Sequence, residues 1–209
     1  MTGEPKIRAR RKAFRPDEIL EAALEEFTKN GYAGTRLDDV AARAGVTKGT
    51  IYVYFPNKEQ LFYAIVRKFK PSLVEDVDQF VKISKTSVIE FLSTFLKFLY
   101  REMQDDWKSR EVFRLMIAEA ERFPALAEEY HRTVIGPLFE KLREAIKEGI
   151  ARGEIRQSAA VEFPEIVIAP AALMHLWLLV FSNRMPVDTE RYLEAHLDLM
   201  LHGLVQPAA

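Results

Sequence analysis

Apolar side chains recur at intervals of three and four residues along almost the whole chain, the spacing that lines one face of an α-helix. The first stripe is Ile19, Leu20, Ala23, Leu24 and Phe27, opened by Pro16-Asp17 and closed by Asn30-Gly31. Thr35 stands where an N-cap would open a short helix carrying Leu37, Val40, Ala41 and Ala44, and Gly45 ends it. Thr47 caps a second short helix through Tyr54. Pro56 breaks the chain, and Asn57 caps a longer helix from Lys58 to Phe69, stopped by Lys70-Pro71. Further helices are predicted over Leu73 to Ile83, Val88 to Met103, Ser109 to Glu121, Ala125 to Arg152 with a bend at Gly136-Pro137, Ala160 to Ser182, and Thr189 to Leu204. No alternating strand pattern, hairpin signal or internal repeat interrupts them, so the expected fold class is all-α.

The run from Ile166 to Phe181 carries no charge over sixteen residues. That is short of the roughly 20 apolar residues a bilayer crossing needs, and it contains Pro170 and His175, so a buried core or interface helix is the expectation and no membrane partner is assigned. A helix apolar on every side needs cover on every side. The following helix offers a second apolar stripe of Tyr192, Leu193, His196, Leu197, Met200, Leu201 and Leu204. Pairing of these two helices with a second copy of the chain predicts a homodimer, with Leu173, Leu176, Val180, Leu193, Leu197, Met200 and Leu201 in the interface.

Composition adds exclusions. The 209 residues contain no cysteine, which removes disulfides, thiolate metal sites and cysteine nucleophiles and makes the cytoplasm the expected location. The N-terminus is basic but has no apolar stretch behind it, unlike a secretory signal. A formal net charge of −1 conceals an asymmetry: Met1 to Arg15 carries +5, the first 58 residues +3 and the remainder −4. A basic arm ahead of a folded unit suits phosphate binding, although a solvated charge run is the commoner origin of such a stretch.

The segment TRLDDVAARAGVTKGTIYVY, Thr35 to Tyr54, has the spacing of a helix-turn-helix: Ala41 where the helices cross, Gly45 in the turn and Ile51 facing inward. The second helix displays Thr47, Lys48, Thr50, Tyr52 and Tyr54, all able to bond phosphates or base edges. From Ile19 to Ile65 the chain resembles the tetracycline-repressor (TetR/AcrR) family of bacterial transcription regulators, in NGYAGT, AGVTKGTIYVYF and NKEQLF. Weaker likeness extends to AEAERFPALAEEYHRTVIGPL and EGIARGEIR. The resemblance implies a basic arm (1–15), a helix-turn-helix DNA-binding domain (16–57) and a helical effector-binding and dimerisation domain (58–209) whose connecting helix is 58–70. Carried onto this chain, DNA contacts fall on Thr35 and Arg36, on Thr47, Lys48, Gly49, Thr50, Tyr52 and Tyr54, and on Lys58, with Arg8, Arg10 and Arg11 of the arm added for their charge. Tyr54 and Lys58 are expected at phosphates, Gly49 at a close backbone approach, and Phe55 in the core.

No catalytic motif of the serine-elbow, zinc-protease, phosphate-loop or dinucleotide type is present, and the four histidines are too scattered to argue a metal; neither an enzyme, a cofactor nor a metal is expected. Phe95, Leu99, Trp107, Phe113, Met116, Met174 and Trp177 could line an apolar cavity, with Glu119, Tyr130, His131, His175 and Arg114 orienting a hydrophobic or amphipathic ligand. The expected function is a homodimeric repressor that binds palindromic double-stranded operator DNA and is released by such a ligand. The alternatives are a small-molecule-binding protein of the same fold that has lost DNA binding, opposed by the intact Thr47 to Tyr54 run, and an all-α enzyme, opposed by the missing catalytic constellation.

Overall fold

The computed structural model describes residues 4–70, 87–181 and 184–205, with side chains from Pro16 onward and that of Met103 excepted. The expected helix from Leu73 to Ile83 and the side chains of Arg8, Arg10 and Arg11 lie outside the described residues. Two compact units form: the residues up to Lys70 join Glu111–Ala127, and the rest make the second.

Helix α1 (Glu4–Gly34) begins well before the expected start at Pro16, which lies inside it and forfeits one backbone bond. The basic stretch before Pro16 is rich in Lys, Arg and Ala, good helix formers, which accounts for the earlier start. Gly31, at φ +68°, breaks the helical path where the Asn30-Gly31 signal stood, a conformation open to glycine without steric cost. Helices α2 (Leu37–Arg43), α3 (Lys48–Tyr54) and α4 (Lys58–Phe69) follow. Their buried faces match the predicted stripes: Ile19, Ala23, Leu24 and Phe27 of α1 meet Val40 and Ala41 of α2, Ile51 of α3, and Leu61, Phe62 and Ile65 of α4 in the core of this unit. Phe27, Tyr32, Phe62, Tyr63 and Phe123 form a ring cluster with centroids 4.8–5.9 Å apart, which draws 111–127 into the unit. Buried Glu26 accepts from Arg43 Nε at 2.6 Å and from Asn30 Nδ2 at 2.9 Å, tying α2 to α1, and Lys68 pairs with Asp17 to tie α4 to it.

Two residues assigned to DNA from sequence also bond within this scaffold. Thr35 is not a cap: Arg36 holds the N-cap position of α2, while the buried Thr35 hydroxyl donates to the Gly31 carbonyl at 2.7 Å, with the Glu26 carbonyl also within 3.0 Å. Lys58, expected at a phosphate, turns its ammonium onto the backbone in the free chain. It donates to the carbonyls of Tyr32 (2.7 Å), Thr35 (2.9 Å) and Ala33 (3.3 Å), which uses all three of its protons. A cation at the carbonyl end of a helix is electrostatically favourable, and Nζ also stands 4.6 Å from the Tyr32 ring centroid. Burial, then the Arg122 charge, pushes the Lys58 pKa below its ordinary value.

In the second unit α5 (Val88–Asp105), capped by Ser87, packs Phe91, Leu92, Phe95, Leu96 and Leu99 against Leu138, Leu142 and Ile146 of α8 (Gly136–Ala151) and Met200 and Leu204 of α10 (Thr189–Leu204). Helix α6 (Trp107–Glu119) straddles the boundary between the units, and α7 (Pro124–Tyr130) leads into α8. The bend expected at Gly136-Pro137 is a π-helical turn, His131–Ile135, so Ala125 to Arg152 is not one helix. Pro137 has no N–H to continue α-helical bonding, and Gly136 N–H reaches back five residues to the His131 carbonyl. The helix expected from Ala160 is likewise broken into 3₁₀ turns at Ala159–Val161 and Pro164–Val167 before α9 (Ala169–Phe181). No helix among the described residues is long and apolar enough to cross a membrane.

His196 of α10 is buried and bonded at both nitrogens, Nδ1 to the Tyr100 hydroxyl at 3.1 Å and Nε2 to the Val167 carbonyl at 3.0 Å. A carbonyl only accepts, so Nε2 carries the proton and a neutral ring accepts from Tyr100. Burial lowers its pKa, and burial with the Arg110 charge lowers that of His175 to about 4.

Two measurements follow from this scaffold. Lys58→Met should destabilise the unit that contains α1 by about 2 kcal/mol in denaturant unfolding, because three carbonyls lose a charged donor. The histidines set a pH dependence: folded chains keep them neutral while unfolded chains protonate them below pH 6.5. Stability should therefore fall as pH drops from 6.5 towards about 4, and thermal melts of His175→Leu should show a shallower fall across that window.

Candidate nucleic-acid interface

The reversal between α2 and α3 is made by Gly45 at φ +63°, with Val46 N–H donating to the Ala41 carbonyl at 3.0 Å and Gly45 N–H to Ala42 at 3.2 Å. Buried Ala41 permits the close crossing that the sequence spacing implied. Thr47 is the N-cap of α3, its hydroxyl accepting from Thr50 N–H at 3.2 Å and lying 3.0 Å from the Thr50 hydroxyl. The short recognition helix sends only Ile51 fully into the core.

Its outward face comprises Lys48, Gly49, Tyr52 and Val53, all exposed, with Thr50 and Tyr54 half-buried. A Cβ on Gly49 would meet nothing nearer than the Thr47 hydroxyl at 3.8 Å, so the backbone here lies open. Tyr52 is 47% exposed, whereas Phe55 is buried as expected. Arg36, at the N-cap of α2, is exposed as well.

The geometry adds two residues to this face. Val53, 74% exposed, follows Gly49 by one helical turn and presents an apolar surface of the kind that packs on a thymine methyl. Asp38 of α2 accepts a hydrogen bond from Lys48 Nζ at 2.9 Å, which holds the Asp38 carboxyl below its usual range and the Lys48 ammonium above its own. Turn counting from Gly49 would have found Val53. The Asp38–Lys48 contact needed the angle between two helices.

Residues expected to serve a ligand or a partner copy divide differently from the sequence reading. Phe95 and Leu99 are core of the second unit, Met174 is buried beside Tyr100, and buried Tyr130 has its phenol pushed up to about 12 by desolvation. His131 and Trp107 are exposed, Trp177 donates from its indole to the Met185 carbonyl at 3.0 Å, and His175 is half-buried. Phe113, buried Met116 and Glu119 belong to the other unit, where Arg114 is held by Glu111 and by the Thr28 carbonyl at 3.0 Å. Of the expected interface, Met200 is core and Leu193, Leu197 and Leu201 half-bury against their own chain. Leu173, Leu176 and Val180 of α9 are exposed, as are Ile166 and, on α10, Leu199.

Residues 19–65 match the family of bacterial regulatory proteins described as tetR, and residues 92–200 match the tetracyclin repressor-like C-terminal domain. The chain is 26% identical over 151 residues to the fatty acid metabolism regulator protein of Bacillus subtilis, spanning 72% of this chain and 76% of that protein. It is 26% identical over 192 residues to the HTH-type transcriptional regulator TtgR of Pseudomonas putida, spanning 88% and 90%. Its fold superposes on the transcriptional regulator FadR from Bacillus subtilis, solved in complex with stearoyl-CoA, with a TM-score of 0.64 at 22% identity, covering 89% of this chain and 97% of the other. With its helix-turn-helix and its helical C-terminal domain both matched, the chain belongs to the TetR family of bacterial transcription regulators.

Proposed function

We propose that the chain is a repressor that grips palindromic double-stranded DNA as a homodimer and lets go when a hydrophobic or amphipathic small molecule binds. The observation that carries this reading is the outward face of α3: a helix held by one buried residue, with Lys48, Gly49, Tyr52 and Val53 turned to solvent beside exposed Arg36. Such a face has the size and polarity to enter a major groove, with hydroxyl and ammonium donors for base edges. Arg8, Arg10 and Arg11 remain proposed phosphate contacts on charge alone.

Dimerisation is supported by α9, whose Leu173, Leu176 and Val180 lie on one face by helical spacing and are 57%, 39% and 64% exposed in a single copy. An aliphatic stripe of this kind is covered most simply by its own symmetric equivalent. The dimer then sets two copies of α3 about 34–36 Å apart, one turn of DNA. The relative named for fatty acid metabolism and the neighbour crystallised with stearoyl-CoA favour a long-chain acyl compound as the first effector to try.

Selection on a randomised duplex pool tests the reading: the protein should enrich two inverted half-sites centred about 10–10.5 base pairs apart. Enrichment of a single unrepeated half-site would reject the dimeric grip. Titration of stearoyl-CoA into the free and the DNA-bound protein tests the release. Because coupling is reciprocal, bound DNA should weaken the thioester by the same factor, about 5–150-fold, by which the thioester weakens DNA. Equal affinity with and without DNA would reject stearoyl-CoA as the inducer.

A further inference from the structure

The recognition face contains an anion where a polyanion is to dock. Asp38, in the first turn of α2, reaches Lys48 at the start of α3 across the helix crossing, Nζ to Oδ2 at 2.9 Å, with both side chains about half exposed. An exposed pair of this kind contributes little to folding, and a carboxylate near phosphates opposes binding unless it finds a donor. The major groove supplies donors only on base edges: the amino groups of cytosine and adenine.

We propose that Asp38 and Lys48 act together as one reader of a whole base pair, Lys48 donating to the keto oxygen of one base while Asp38 accepts from the amino group of its partner. The inference rests on α3 being the base-reading helix. In a G·C pair guanine O6 and cytosine N4 are themselves hydrogen-bonded at about 2.9 Å, the N–H···O length. The spacing of Lys48 Nζ and Asp38 Oδ2 is the same, so the ion pair can lie along the groove edge with Nζ facing O6 and Oδ2 facing N4. Neither charge loses its partner when water is expelled, which avoids the cost of an uncompensated ion. Lys48 has three protons and spends one on Asp38, leaving two for guanine O6 and N7.

The order of the two charges then sets the order of the bases. Guanine meets Lys48 with two acceptors and cytosine meets Asp38. A T·A pair has the same keto-to-amino direction, but on the Lys48 side thymine gives one acceptor beside a methyl group. C·G and A·T present an amino group to the ammonium and a keto oxygen to the carboxylate, two repulsive contacts that in A·T only the adenine N7 acceptor relieves. The ranking is G·C first, T·A second, and C·G and A·T last. Asp38 is thus a specificity residue that works largely by rejecting the reversed pair.

Selection on a randomised duplex pool, followed by titration of single-position variants of the enriched site, tests this with wild type, Asp38→Ala and the double exchange Asp38→Lys with Lys48→Asp. Wild type should fix one G·C pair in each half-site and bind it on the order of tenfold or more above C·G. Asp38→Ala should cut the preference for G·C over C·G several-fold at that position, leaving the part that Lys48 alone supplies, and leave the other positions unchanged. The exchanged protein should prefer C·G there. If the exchange enriches no site, the Asp38→Ala comparison decides alone. The proposal is overturned if wild type fixes no G·C pair, if Asp38→Ala keeps the full preference, or if the exchanged protein selects the wild-type base. In each of those results a dyad motif from wild type still upholds DNA reading by α3, whereas no motif at all removes that reading and this inference together.

Discussion

The close of α1 is where the helix-turn-helix is determined. Beyond Gly31 the chain turns away from its helical path and leaves the carbonyls of Tyr32, Ala33 and Thr35 facing one point, and Lys58 fills that point with an ammonium. One cation thereby joins the end of α1 to the start of α4, while the Thr35 hydroxyl closes the other side of the turn onto Gly31. The direction in which α2 leaves depends on this knot. Helix α3 depends on α2 in turn, since a seven-residue helix is too short to be stable without tertiary support.

Local patterns were legible where local physics decides. Thr47 and Asn57 cap the helices they precede, Gly45 takes the positive φ its position requires, and Thr189–Leu204 is the helix the periodicity outlines. The contacts that could not be read share a cause. The carbonyl partners of Lys58 lie 23 to 26 residues earlier, so its position at a helix start gives no sign of them. Thr35 resembles a cap for the same reason: a hydroxyl beside a helix is read against its neighbours, while its real acceptor belongs to the turn behind it.

The apolar C-terminal helices posed a different problem. The uncharged run from Ile166 to Phe181 has little periodicity to follow, and the break before it falls at Pro164, a helix breaker through which the expected helix was drawn. In α10 the stripe was correct, but a stripe does not say whether its cover is the same chain or another. Met200 and Leu204 belong to their own core, and Leu199, outside the stripe, stays 73% exposed. His196 sat in that stripe as an apparent anomaly; its two bonds explain why an imidazole is tolerated there.

Because Ile51 alone of α3 is fully buried, the recognition helix separates two kinds of selection. Substitutions at positions 48, 49, 52 and 53 alter the exposed face without disturbing a packed core, and surface changes of that kind usually move stability by no more than about 0.5 kcal/mol. A duplicated gene could therefore drift to a new binding site by ordinary point mutation while its product stays folded throughout. Divergence of targets among proteins built this way would be limited by the supply of useful DNA sites, and hardly at all by the stability of the intermediates.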